Sequence, residues 1–227
     1  GSCTGMTCRC RCIELCVSSP ALDPVEAASL IAAWRPSSTD PWGVSARELA
    51  RTLETLVRDA PEAWTGDPVA VVQTLREPVY IDHYFRAVKA STAKTVKSAP
   101  TLIRAIQSVR RERWRPASLG RNDYEFEDDW TTVDSVSAEL VAALAEANAD
   151  LDDDLGLCWQ LVIELTQDLP TDLGSADEYL DTSRHDDPLH RAINSTHGQG
   201  LRAVLALGGW EHRNKGAASD RLASALS

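Results

Sequence analysis

Apolar residues recur at three- and four-residue spacings through most of the chain, and each run opens on a capping residue or a proline. Asp23-Pro24 opens a helix to Trp34 that Pro36 stops, and Ser45 caps a second over residues 46–59, with Leu49, Leu53, Leu56 and Val57 on one stripe. Asp67-Pro68 opens a third. Pro78 starts a helix carrying Val79, Tyr80, His83, Tyr84, Ala87 and Val88, in which His83 reads as a packing histidine. Pro100 starts another with Leu102, Ile103, Ile106 and Val109, ending near Trp114. The next begins near Asp134 with Val136, Leu140, Val141 and Leu144, and residues 155–169 form one with Leu157, Cys158, Leu161, Val162 and Leu165. Val, Ile and Thr never alternate with polar residues over a strand length, which argues against a sheet. The expected fold is all-α, with antiparallel helical hairpins stacked as a short α-solenoid of HEAT-like or tetratricopeptide-like units. No sharp repeat at a fixed period is present, so an irregular helical bundle is the alternative.

The last long run is the most distinctive. Asp187 caps it and Pro188 occupies the first turn, where a missing N–H costs nothing. From there to Trp210 a helix is about 35 Å long, at ~1.5 Å per residue. One broad face holds Leu189, Ala192, Ile193, Thr196, Gly200, Ala203, Val204, Leu207 and Trp210. His190, Asn194 and His197 fall at its flank, where burial without partners costs about 1–3 kcal/mol per group. They form a structural polar cluster, expected to bond to backbone or neighbouring side chains. Ser195, Gly198 and Gly200 are small enough for another backbone to approach, and two helical glycines cost about 1 kcal/mol each against alanine.

The run Asp187-Pro188 followed by Ala192-Ile193-Asn194-Ser195-Thr196 and Gly198, then an amphipathic helix ending in an aromatic, resembles the C-terminal helical region of very large bacterial proteins. Many of these are STAND-type nucleoside-triphosphatases or related proteins associated with antiphage defence. Trp114, Trp130 and Trp159 are similar in placement to tryptophans near the hairpin turns of that family, and the resemblance spans roughly residues 45–212. His197 stands where an arginine is commoner there, and Gly200 where alanine is usual. The resemblance implies a helical-repeat module that senses a trigger or holds an assembly together. No Gly-x-x-x-x-Gly-Lys-Ser/Thr phosphate loop occurs anywhere, so a motor of that kind would lie outside this chain.

Charge changes the picture in the middle of the chain. Residues 86–121 carry +9 and residues 122–187 carry −19, within a net −11. Lys89, Lys94, Lys97 and a basic patch of Arg104, Arg110, Arg111, Arg113 and Arg115 could bind phosphate groups, which makes a nucleic-acid-binding module an alternative function. The simpler expectation is that the basic helix lies beside the acidic segment and neutralises it inside the fold. An acidic total and no recognisable nucleic-acid motif favour this second account.

Composition adds bounds. With 227 residues, 43% of them hydrophobic, the chain can bury a real core, and no apolar run approaches the roughly 18 residues of a bilayer span. No secretory leader is evident, so a cytoplasmic, membrane-free location is expected. Cys3, Cys8, Cys10, Cys12 and Cys16 crowd a tail over residues 1–20 that reads as disordered, its Gly1-Ser2 start resembling a cloning remnant; residues 21–227 read as one repeat-like domain. The cysteine spacing is not the paired Cys-x-x-Cys of a zinc knuckle, and no metal or other cofactor is expected. Cys158 is expected to be a core thiol.

Two further constellations are weaker. His185-Asp186, with His190 and His197, could serve a metal-dependent helical hydrolase, but the pair falls in a turn and few other His ligands exist upstream. Asp150, Asp152, Asp153 and Asp154 lack the mid-loop glycine and closing glutamate of a calcium loop, and suit the positive end of a helix dipole instead. The expectation is therefore a non-catalytic scaffold or recognition module, its partner a protein or other domains of a larger polypeptide.

Overall fold

The computed structural model describes residues 23–35, 45–114, 130–167, 196–216 and 220–225. About 85% of them are helical and none lies in a strand, so the described fold is all-α. No helix among them is long and apolar enough to cross a membrane.

The capping chemistry read from the sequence sets the first helices. Helix α1, Pro24–Ala33, follows Asp23, whose carboxylate accepts from the Val25 N–H at 2.9 Å. Helix α2, Ala46–Asp59, starts with a reciprocal capping box. The Ser45 hydroxyl accepts from the Glu48 N–H at 3.2 Å while the Glu48 carboxylate accepts from the Ser45 N–H at 2.8 Å, satisfying two donors that a helix start leaves free. A single turn, α3 (Pro61–Trp64), precedes α4 (Pro68–Leu75), which Asp67 caps through the Ala70 N–H at 3.1 Å.

Arg76, with φ 58°, closes α4 in the left-handed region, and α5 (Pro78–Ala90) begins two residues later. A short helix α6 (Thr92–Thr95) and a 3-10 turn over Val96–Ser98 then lead into α7, Ala99–Glu112. The remaining helices are α8 (Trp130–Glu146), α9 (Leu155–Gln167), α10 (Thr196–Lys215) and α11 (Asp220–Ala225). Helices α3 and α6 carry too few residues to show a period, which is why apolar spacing does not reveal them.

Two boundaries differ from the sequence expectation. Helix α8 is already helical at Trp130, four residues before Asp134, because Asp134 is a buried helix-interior residue facing two arginines rather than a cap. Helix α10 continues past Trp210 to Lys215, where His212, Arg213 and Lys215 occupy its last turn and oppose the negative end of the helix dipole. Gly216, at φ +69°, then ends it in a conformation that glycine adopts without strain.

Contacts between helices alternate along the chain. Helices α1, α4, α7 and α9 touch one another in that order, and α2, α5, α8 and α10 do the same. Position in this order explains how much of each helix is apolar. In α2, at the start of its row, only Leu49, Ala50, Leu53 and Val57 are buried. In α5, held between α2 and α8, Tyr80, Ile81, Tyr84, Phe85, Ala87 and Val88 are all buried, and α8 likewise buries Val133, Val136, Leu140, Val141 and Leu144. A helix flanked on two sides needs apolar groups around most of its circumference.

Aromatic side chains join neighbouring helices. The Tyr84 hydroxyl donates to the Trp64 carbonyl at 2.8 Å, and the rings of Trp64 and Phe85 lie 6.4 and 5.5 Å from it. Burial raises the pKa of Tyr84 far above the usual phenol range, so it remains a neutral donor. Trp114 and Trp130, at the facing ends of α7 and α8, stack at 6.5 Å with a 43° tilt. Trp159 is buried within α9.

Candidate functional site

The helix row α2, α5, α8 and α10 is crossed by a hydrogen-bonded or charged side-chain pair at each of its contacts. Glu54 of α2 meets His83 Nδ1 of α5 at 2.8 Å, both side chains largely buried, and the same carboxylate also pairs with Arg58. His83 therefore does more than pack. Lys89 of α5 pairs with Glu139 of α8, and Glu146 of α8 meets Arg202 of α10 at 3.2 Å. These pairs link residues 29, 50 and 56 positions apart in the chain, so no local spacing announces them.

The basic helix α7 is answered from α8 and α9. Arg110 Nη1 lies 2.9 Å from Asp134 Oδ1, with each side chain only 10% exposed. Arg113 closes α7 with φ 29° and brings its Nη2 within 2.7 Å of Asp134 Oδ2, so one carboxylate receives two guanidinium groups. Arg110 Nε also lies 3.5 Å from Glu164 of α9. Arg104, more exposed, reaches Asp154 at 3.5 Å immediately before α9. A largely buried carboxylate shared between the largely buried Arg110 and the more exposed Arg113 keeps its charge without stranding the Arg110 cation, which is the condition for an ion pair to be tolerated away from water.

Of the five residues expected to form a basic patch, the structure thus directs Arg104, Arg110 and Arg113 toward acids. Arg111 is exposed, and Arg115 lies outside the described residues. Lys94 and Lys97 are exposed as well. No local spacing marks Asp134, Asp154 and Glu164 as the acidic partners of this helix. Their signal is the abrupt reversal of charge between residues 86–121 and 122–187.

Of the small residues noted in the sequence, Gly200, in the first turns of α10, sits at a close helix contact. A Cβ on Gly200 would stand 2.8 Å from Thr166 Cγ2 and 3.4 Å from the Thr166 backbone nitrogen, so its hydrogen lets α9 and α10 approach closely. Gly208 makes similar room for Leu222 of α11. Ala203, Val204, Leu207 and Trp210 are buried as the apolar face requires, and the Trp210 indole N–H donates to the Ala149 carbonyl at 2.8 Å. Arg213 and Asn214 add hydrogen bonds to the Ala145 carbonyl and the Asn148 side chain, both at 2.9 Å. Asp187, Pro188, His190, Asn194 and the side chain of His197 lie outside the described residues, as do His185, Asp186 and the five N-terminal cysteines.

The remaining acidic and thiol groups are structural in their surroundings. Asp150 accepts from the Asp152 N–H at 3.4 Å, Asp152 meets Lys215 at 3.1 Å, and Asp154 is buried against Arg104. Among the described residues no group of three His, Cys, Asp or Glu side chains is arranged to hold a metal ion. Cys158 is a buried free thiol, its pKa pushed up to about 12 by burial and then by the charge of Asp154. At neutral pH it is protonated and a poor nucleophile. Compared with protein-family models, curated proteins and solved structures, the chain finds no match.

Proposed function

We propose that this chain is a non-catalytic helical scaffold or recognition module, built of four hairpins stacked as a short α-solenoid. The observation that carries this reading is the alternation of contacts, in which every second helix touches the next along two rows. On this reading α1 pairs with α2, α4 with α5, α7 with α8 and α9 with α10, which groups the long helices into successive two-helix layers. Each layer then buries its apolar faces mainly against its sequence neighbours, as stacked repeats do.

Further support comes from the charged groups. Arg104, Arg110 and Arg113 spend their charge on Asp154, Asp134 and Glu164, which favours a scaffold over a nucleic-acid-binding surface on α7. The resemblance of the run from Asp187 to Gly198 to C-terminal regions of STAND-type nucleoside-triphosphatases supports a place in a larger bacterial defence assembly, with protein partners and a cytoplasmic location. In that setting the module contributes surface and spacing while another domain supplies the chemistry.

Three measurements test the proposal. Native-state hydrogen exchange should show protection lost in stages from the terminal layers inward; one cooperative exchange unit would instead identify a compact bundle. Incubation with divalent metals and a generic phosphodiester should give no turnover, and metal-dependent hydrolysis would overturn the non-catalytic reading. DNA or RNA should not be retained in low-salt filter binding. Retention that Arg111→Glu abolishes would return the function to the basic helix.

A further inference from the structure

We draw no further inference here: the strongest candidate, the outward face of α10 around the exposed Leu205, is an apolar surface with nothing in the structure to show what covers it.

Discussion

Arg110 and Asp134 face each other at 2.9 Å across the α7–α8 contact, each nine-tenths removed from solvent. Arg113 holds the second oxygen of the same carboxylate, so Asp134 anchors both the body and the end of α7. Removing one member of a buried pair strands the other charge, a larger penalty than the pair's own net contribution.

Asp134→Ala should therefore lower unfolding free energy by about 3–5 kcal/mol in urea titration. The double variant Arg110→Met with Asp134→Leu should recover much of that loss, because the isolated charge is gone. Equal instability of the single and double variants would show that stranded charge is not the cause.

Gly200 and Gly208 should respond differently to alanine. At Gly200 the new methyl meets Thr166 Cγ2 and backbone, so overpacking of about 1–3 kcal/mol should exceed the ~1 kcal/mol gain in helix propensity. At Gly208 the obstacle is the flexible end of Leu222, so the loss should be small. Thermal melts of both variants, and of Gly200→Ala combined with Thr166→Ser, check this; a Gly200→Ala protein that melts higher than the parent contradicts the close α9–α10 approach.

Trp210→Phe keeps most of the ring but removes the donor to the Ala149 carbonyl, which is buried. A loss of about 1–2 kcal/mol is expected, since a buried acceptor is left without its bond. Denaturant midpoints at constant slope measure it, and an unchanged midpoint would mean that water replaces the indole.

Cys158 supplies a pH test. Its folded pKa of about 12 exceeds the ordinary 9.0, so burial of the neutral thiol contributes stability that is complete below about pH 9 and is lost as pH rises toward 12. Iodoacetamide at pH 8 should leave Cys158 unmodified in the native chain and alkylate it in denaturant, as read by peptide mass spectrometry. Rapid native alkylation would require an opening of the α9 core.

The helix starts at Asp23-Pro24, Ser45 and Asp67-Pro68 are legible from sequence because capping is local: a side chain two or three residues away satisfies a free N–H. The buried faces of α2 and α7 follow for the same reason, since a period of 3.6 residues is written into neighbouring positions. Asp134 marks where local reading ends. It has the composition of a cap, yet its role depends on Arg110 and Arg113, more than 20 residues earlier.

Local physics determined that this chain is helical, which residues face inward, and that a basic stretch precedes an acidic one. Tertiary structure decided which helices meet, that Glu54 answers His83, and that Asp134 is shared by two arginines. The physical reason is range. Capping and amphipathicity act within one or two turns, whereas the choice of ion-pair partners depends on which surfaces apolar burial has already brought together.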